Sequence, residues 1–162
     1  AGTLMRSSAQ SGIPTLGICF GHQLLCHTLG STIERADSLS SGIWKIDLTE
    51  KGDSDELLTS HRCNNIAISG LFTHQDHVIT VPKNCTLLST TSHNKVTAVR
   101  VNDSSGNALP AWGIQFHPEA AKARIERAFE WGHITAEEHS AFKGEHDGAG
   151  ILASFASIIL NQ

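Results

Sequence analysis

The chain has no excess of basic residues, no long apolar run and no phosphate-binding glycine motif. Its 162 residues include 17% charged side chains and carry a formal net charge of −4 at pH 7, so a basic surface for a nucleic-acid backbone is not expected. No run approaches the roughly 20 apolar residues of a membrane span, and no basic-then-apolar leader precedes the domain. We therefore expect no nucleic-acid partner, no membrane partner and a cytoplasmic location.

Paired cysteine spacings are also lacking. The cysteines are Cys19, Cys26, Cys63 and Cys85. Without paired spacing, neither a disulfide framework nor a zinc site is indicated. Ten histidines are present, with His61 close to Cys63 and His74 close to His77, but no four ligands have the spacing of a structural zinc site. The sequence predicts reduced thiols, no metal and no cofactor.

The most informative segment that is present runs TLGICFGHQLL over residues 15–25. A short apolar strand breaks at a glycine-flanked cysteine, Cys19, into a helical segment. Such a turn holds the side chain out of the sheet, and the start of the helix favours negative charge beside it. The thiolate is the form of cysteine that attacks carbon. Cys19 is therefore predicted to be a nucleophile, against the alternative that it is a small buried apolar residue.

A second segment, WGIQFHPE over residues 112–119, reads as a buried strand that ends in His-Pro-Glu. Proline biases the residue before it towards extended geometry, and residues two apart on an extended segment project to the same side. Glu119 can therefore reach the imidazole of His117. A carboxylate on one ring nitrogen fixes the tautomer and leaves the other nitrogen to take the thiol proton. We predict a Cys-His-Glu triad.

Two strings, GICFGHQLL and GIQFHPE, closely resemble the class I glutamine amidotransferases, the triad type of glutaminase domain. Between them, LFTHQDHV at residues 71–78 is similar to the Ser-His-x-Asp-x-Val stretch of the GMP synthase-like branch of that family. The resemblance implies hydrolysis of the glutamine side-chain amide through a γ-glutamyl thioester, with ammonia released or passed to a synthase partner.

The resemblance also implies a role for each matching residue. The nucleophile, the general base and the group that orients the base are Cys19, His117 and Glu119. Substrate contacts are implied for Phe20, Gln23, Thr73, His74 and Gln75. Among these, the backbone N–H of Phe20 would donate to the oxyanion, and residues 73–75 would contact the amino-acid end of the substrate. Gln75 stands where the family usually has glycine. For His22, both a structural hydrogen bond and a direct role in the chemistry are possible.

The implied fold class is α/β, a three-layer flavodoxin-like or Rossmann-like domain whose mixed sheet has antiparallel strands before His117. Helices are predicted at residues 21–29 with Gly30 as a left-handed cap, on a stripe from Ile125 to Gly132, after a capping box at Thr135, and at residues 151–160. Further strands are predicted at residues 43–48, 66–68, 78–81, 87–90 and 96–101.

The start of the sequence departs from the family pattern. In the family, several dozen residues precede the elbow and include a glycine-rich loop that supplies a second oxyanion donor. No such loop precedes Cys19. We therefore interpret residues 1–162 as a single amidotransferase domain that is incomplete at its N-terminus, with the first strands of the family's sheet missing.

Three functions stay open. The chain can be a glutaminase subunit, or a γ-glutamyl peptide hydrolase if its pocket opens beyond the amide. It can also be a catalytically silent truncated domain that acts by binding or regulation, because an exposed sheet edge could pair with another chain or a second copy. No GxxxxGK[ST] loop is present, so the chain does not itself activate an ammonia acceptor.

Overall fold

The structure, a computed structural model, describes residues 1–59 and 67–161. The strands are β1 Thr15–Ile18, β2 Ile33–Leu48, β3 Ile68–Val78, β4 Cys85–Thr90, β5 Ala98–Asn102 and β6 Ala108–Ile114. The helices are α1 Gly2–Gln10, α2 Phe20–Thr28, α3 Glu50–Asp53, α4 Glu56–Thr59, α5 Lys122–Glu130, α6 Ala136–Ala141 and α7 Gly148–Leu160. None of these helices is long and apolar enough to cross a bilayer.

The strands form one mixed sheet in the order β1-β6-β5-β4-β2-β3. Strand β1 is parallel to β6, and the remaining pairs are antiparallel. In the parallel pair, Ile18 lies opposite Ile114. Because the carboxyl ends of parallel neighbours meet at the same edge, the residues after Ile18 and Ile114 are brought side by side. These are the two segments that the sequence singles out.

Side chains alternate between the two faces of the sheet and build a core on each. On β6, Ala111 packs with Ala9 of α1 and Leu25 of α2, whereas its neighbour Trp112 packs with Leu57 of α4 on the other face. Helix α7 covers the same face as α4, through its buried Ile151. Helices therefore lie on both faces of the sheet, and the three-layer α/β architecture is confirmed.

Several predicted elements are confirmed. The antiparallel pairing of β5 with β6, just before His117, is present, as are the helix at residues 151–160 and the capping box at Thr135. Helix α2 ends with Gly30 at a φ of +95°. There the N–H of Ser31 donates to the carbonyl of Cys26 at 2.9 Å, which is the cap that a left-handed glycine allows.

Other boundaries are wrong. The strand predicted at residues 43–48 is the end of a much longer β2, which begins at Ile33, and of the strand predicted at residues 78–81 only Val78 is present, as the last residue of β3. Part of the strand predicted at residues 66–68 lies outside the described residues. Strand β2 pairs with β3 from Ile33 onwards, and its polar first half is held by this backbone pairing. That half has no apolar alternation from which a strand could be read.

Candidate active site

Cys19 occupies the turn between β1 and α2 in a rare backbone conformation. It has a φ of +48° and a ψ of −103°, and among the described residues it is the one non-glycine residue with a positive φ. Its N–H donates to the carbonyl of Ile114 at 2.8 Å, and its carbonyl accepts from the N–H of Gln23 at 3.1 Å. Such conformations persist where surrounding structure holds them, and here both sides of the turn are tied down.

The tight turn also depends on the absence of a side chain at Gly17. A Cβ there would lie 2.8 Å from the carbonyl carbon and oxygen of Gly21, closer than heavy atoms approach without a shift. Strand β1 and the first turn of α2 can therefore come together only because residue 17 is glycine.

His117 and Glu119 follow β6 and contact each other directly. The Nδ1 of His117 lies 2.9 Å from Oε1 of Glu119, as the sequence predicts. The backbone N–H of His117 donates to the carbonyl of Leu71 on β3 at 2.8 Å, so the backbone that carries the imidazole is tied to β3. The strand itself ends at Ile114 rather than running into the His-Pro-Glu motif.

The two side chains shift each other's protonation. The Cys19 thiol and then the hydrogen bond to Glu119 raise the pKa of His117 to about 10, against the opposing effect of burial. Burial alone would raise the pKa of Glu119, but the hydrogen bond from His117 and nearby positive charge hold it below its usual value. Glu119 is therefore a carboxylate at neutral pH, and the imidazolium form of His117 is favoured.

The remaining atoms of this pair have no partner. Within the described part of the chain, Nε2 of His117 and Oε2 of Glu119 are buried and make no hydrogen bond. Cys19 is nevertheless the first cause of the raised pKa of His117. The two side chains therefore interact across the site, although no aligned hydrogen bond joins them in this geometry. The free nitrogen is the one available for proton exchange.

We expect the raised pKa of His117 to depend on Cys19. In Cys19→Ala the pKa of His117 should fall by more than about one unit, because the largest cause of the rise is removed. The His117 Cε1–H resonance, followed by NMR across pH and assigned with His117→Gln, measures this shift. Because the pKa of His117 in the folded wild type lies above its ordinary value of 6.5, protonation of His117 stabilises the fold. This contribution to the free energy of unfolding is complete below pH 6.5 and is lost as the pH rises towards 10. An unchanged titration in Cys19→Ala would contradict the coupling.

The structure adds a residue to those that the sequence predicts for the site. Gln115 is fully buried, and its Nε2 donates to Sγ of Cys19 at 3.5 Å. Its backbone N–H donates to the carbonyl of Thr97 at 2.8 Å. A signal for it is present in the sequence, because residues two apart on an extended segment share a side. Gln115 stands two residues before His117 in the same motif.

Two of the predicted substrate contacts lie on α2. Phe20 is 71% exposed, and its backbone N–H, as the first residue of the helix, has no intrahelical acceptor. Gln23 is buried, and its Nε2 donates to the carbonyl of Asp76 at 2.6 Å and to Oε1 of Gln115 at 3.2 Å. The amide nitrogen of Gln23 is thus already engaged within the protein.

The other predicted substrate contacts lie within β3, not in a loop. Thr73 pairs with Ser41 of β2. His74 is buried, its Nδ1 lies 3.0 Å from the carbonyl oxygen of Asp76, and burial lowers its pKa to about 4. Its Nε2 is buried without a partner among the described residues. Gln75, where the family has glycine, has no positive φ.

The Gln75 side chain turns away to the neighbouring strand. Its Nε2 donates to the carbonyl of Ala36 at 3.0 Å, and its Oε1 accepts a hydrogen bond from the guanidinium of Arg35. The Gln75 side chain is therefore hydrogen-bonded to β2, and the β3 backbone keeps its extended path.

The buried groups beside the site have structural partners. His22 is fully buried, its Nε2 lies 3.1 Å from the carbonyl of Val96, and burial lowers its pKa to about 4. This favours the structural alternative for His22. Burial raises the pKa of the Cys26 and Cys85 thiols, so both stay protonated at neutral pH. Cys63 lies outside the described residues.

A cavity of about 190 Å³ adjoins His117 and Glu119. Its walls come from Leu71, Thr73, Ala120, Arg124, Ile125, Ala128, Ile134 and Phe142, together with the two site residues. The side chains are mainly apolar, and Arg124 adds a guanidinium to the lining. Helix α5 carries the stripe that begins at Ile125; it has no buried residue and forms one wall of this cavity.

The described groups form no metal site. Across residues 1–59 and 67–161, no three histidine, cysteine, aspartate or glutamate side chains are placed to hold a metal ion. His61 and Cys63, which are close together in the sequence, lie outside these ranges.

Comparison with known proteins gives a family match. The family model described as glutamine amidotransferase class-I matches residues 2–129. A subunit of the glutamine-hydrolyzing GMP synthase of Sulfolobus acidocaldarius is 33% identical over 107 residues, covering 66% of this chain and 51% of the relative. The glutamine-hydrolyzing GMP synthase of Xanthomonas axonopodis pv. citri is 35% identical over 109 residues, covering 67% and 20%.

Solved structures give the same fold. A glutamine amidotransferase from Thermotoga maritima superimposes with a TM-score of 0.74 at 20% identity, covering 99% of this chain and 68% of that chain. The mixed sheet with helices on both faces is therefore shared. The chain spans about half the length of the Sulfolobus relative and about a fifth of the longer Xanthomonas synthase.

Proposed function

The chain belongs to the class I glutamine amidotransferases, and from this premise we propose that it hydrolyses the side-chain amide of glutamine and releases ammonia. The observation that carries the proposal is the position of Cys19 on a strained turn beside the hydrogen-bonded pair of His117 and Glu119. A nucleophile, a base and a group that orients the base are the parts that acyl transfer from an amide requires.

In the proposed reaction, the Cys19 thiolate adds to the amide carbon of glutamine and forms a tetrahedral oxyanion. The backbone N–H of Phe20 donates to that oxygen, a type of contact worth about 3 kcal/mol in comparable sites. The imidazolium of His117 gives its proton to the leaving nitrogen, so ammonia departs and a γ-glutamyl thioester remains. His117 then takes a proton from water, and the hydroxide attacks the thioester. The carbon–sulfur bond breaks, which releases glutamate and regenerates Cys19.

Glu119 stays ionised throughout this proposed cycle. Its carboxylate holds Nδ1 of His117, which leaves Nε2 to exchange protons with the sulfur, the leaving nitrogen and water. Its lowered pKa supports that role, since a carboxylate stabilises the imidazolium form of His117.

Substrate binding is proposed between α2 and β3. The engaged nitrogen of Gln23 leaves its carbonyl oxygen for the α-amino group of glutamine. Thr73, His74 and Gln75 of β3 would contact the amino-acid end, with Thr73 lining the cavity next to His117. We propose a synthase partner as the consumer of the ammonia, because the relative from Sulfolobus acidocaldarius is named as one subunit of a GMP synthase.

A glutamine-like chloroketone tests whether the site forms. The expected result is alkylation of Cys19 alone, found by mass spectrometry of the cysteine peptides, and slowed by glutamine in proportion to its occupancy. Cys26 and Cys85 serve as internal controls, since burial raises the pKa of both thiols. Equal labelling of all cysteines, or no protection by glutamine, would overturn the proposed glutamine site.

A second candidate, hydrolysis of γ-glutamyl peptides, is favoured by the cavity next to His117. The leaving amine must lie near the group that protonates it, and about 190 Å³ of mainly apolar space adjoins that group. Steady-state rates with glutamine and with γ-glutamyl-leucine separate the two candidates. A larger kcat/KM for the peptide would favour the hydrolase, and a larger value for glutamine would favour the glutaminase.

The binding or regulatory alternative is tested by the same reactions. In the described part of the chain, β1 pairs on one side only, with β6, so its other edge can accept a strand from another chain or a second copy. If this alternative holds, neither substrate should be turned over, although the chain would still self-associate or bind a partner in sedimentation measurements.

A further inference from the structure

Three polar groups form a hydrogen-bonded row that ends on the sulfur of Cys19. The carbonyl of Asp76 accepts from Nε2 of Gln23 at 2.6 Å, and the same nitrogen donates to Oε1 of Gln115 at 3.2 Å. The Nε2 of Gln115 then donates to Sγ of Cys19 at 3.5 Å. We call the Asp76 carbonyl, Gln23 and Gln115 the amide row. It connects β3 to the nucleophile through α2 and the segment after β6.

The orientation of both amides follows from the first member of the row. A backbone carbonyl can only accept, so the end of the Gln23 amide that faces Asp76 must be its nitrogen. That nitrogen also lies against Gln115, which must therefore present its oxygen. The Gln115 nitrogen is left facing the sulfur. Neither amide can rotate by half a turn without placing two acceptors or two donors against each other.

Burial keeps this orientation fixed. Gln115 is fully buried and Gln23 is 7% exposed, so water is not at hand to replace a lost hydrogen bond. The backbone of Gln115 is also tied to Thr97. An N–H donor held in place beside sulfur interacts more strongly with a thiolate than with a neutral thiol.

We propose that Gln115 is a fixed hydrogen-bond donor to the Cys19 sulfur that favours its thiolate form, and that Gln23 is a positioning residue that sets the direction of the Gln115 amide. The inference rests on the proposed function for the role of Cys19 as nucleophile. The donation from Gln115 to the sulfur is present before any substrate binds.

Other ionisable groups around Cys19 contribute in known directions. His117, held by Glu119, is the cation that faces the sulfur. His22 on α2 and His74 on β3 stay neutral near pH 7, because burial lowers the pKa of each to about 4. A change in the amide row can therefore be measured against a constant charge on these two histidines.

The test uses the pH dependence of Cys19 alkylation by iodoacetamide, without substrate, read from the mass of the Cys19 peptide. Gln115→Met removes the donor and adds no charge. The pH at half-maximal rate should rise by about one unit. Gln10→Met, at an exposed position on α1, is the matched control and should leave the profile unchanged.

Gln23→Glu tests the positioning role. Its carboxylate can only accept, so it should turn the Gln115 amide around and present Oε1 to the sulfur, again raising the midpoint by about one unit or more. In the double variant Gln23→Glu, Gln115→Met, no amide is left to turn. The shift in the double variant should therefore be smaller than the sum of the two single shifts.

Each outcome decides the proposal. A midpoint within about 0.3 units of wild type in Gln115→Met, with thermal unfolding that shows a folded protein, would overturn the donor role. If Gln115→Met does not fold, the Gln23→Glu profile decides, because an unchanged midpoint there would overturn the positioning role and the fixed amide together. The result is independent of turnover: shifted midpoints in a protein that does not hydrolyse glutamine would support the amide row and reject the proposed function.

Discussion

Cys19→Ala is expected to lower the rate of ammonia release from glutamine by about 10⁴-fold or more, to the background of the assay. The reason is chemical, since the proposed thioester cannot form without the sulfur and none of the neighbouring groups can replace it. His117 would still be held by Glu119, but no thiol would be present to exchange a proton with it. Ammonia release can be followed by coupling to glutamate dehydrogenase, with purified protein at matched concentrations.

The matched control for this prediction is Cys85→Ala. That thiol lies on β4 and its pKa is raised by burial, so its loss should change packing but leave the rate within about twofold of wild type. Unfolding midpoints of all three proteins would show that the comparison is made between folded molecules. Equal rates in wild type and Cys19→Ala would sink the proposed chemistry, whatever the control does.

Arg100→Met is expected to destabilise the fold by about 3–5 kcal/mol at pH 7. The Arg100 guanidinium lies 3.1 Å from Oδ2 of Asp55, whose side chain is 3% exposed, and it stacks 4.5 Å above the ring of Trp112. The indole N–H of Trp112 donates to the same carboxylate at 3.1 Å. Removing the cation leaves a buried carboxylate that keeps the neutral donors of Trp112 and the Leu57 backbone but has no charge partner. Urea unfolding followed by tryptophan fluorescence measures the loss.

A second variant shows whether the buried charge is the cause. Asp55→Asn combined with Arg100→Met keeps an acceptor for the Trp112 indole and removes the uncompensated charge, so it should recover more than half of the lost stability. If the double variant is as unstable as Arg100→Met alone, the loss comes from packing around Trp112 instead.

The pairing of Asp55 with Arg100 also makes the stability of the fold depend on pH. Burial already raises the pKa of Asp55 above its usual value, against the opposing pull of Arg100. Removal of Arg100 should raise it further. The pKa of Asp55 in the folded variant is then still further above its value in the unfolded chain. The protonated carboxyl group costs little to bury, so the free energy of unfolding of Arg100→Met falls as the pH rises through the folded-state pKa of Asp55. The difference between Arg100→Met and wild type should therefore be smaller near pH 5 than at pH 7.

Two parts of the candidate site could be predicted from sequence because they are local. The turn at Cys19 is encoded by a short strand that contains Gly17 and a helix that begins directly after the cysteine, and the contact of His117 with Glu119 follows from a spacing of two residues. Both arrangements need only short-range geometry, which a single sequence displays directly. That the two segments come together is an expectation from family resemblance, and the pairing of β1 with β6 is what achieves it.

What could not be predicted depends on contacts between distant segments. Strand β2 begins at Ile33 because backbone groups of β3 are available to pair with it, and its first half shows no apolar pattern. The sequence predicts a substrate contact for Gln23, yet its nitrogen is engaged by a carbonyl of β3. Asp147 stands in a polar, glycine-containing stretch that is typical of a solvated loop, but it accepts hydrogen bonds from the backbone and hydroxyl of Ser69.

The parallel pairing of β1 with β6 has a consequence for the order in which the chain can acquire its chemistry. Thr15 lies opposite Ala111, so the first strand finds its partner only after the antiparallel strands between them are in place or at least synthesised. The loop between these two strands must lose conformational entropy before their contacts can stabilise it, and this slows folding. Cys19 therefore gains its imidazole neighbour only after the chain has been synthesised past His117 and β6 can pair with β1.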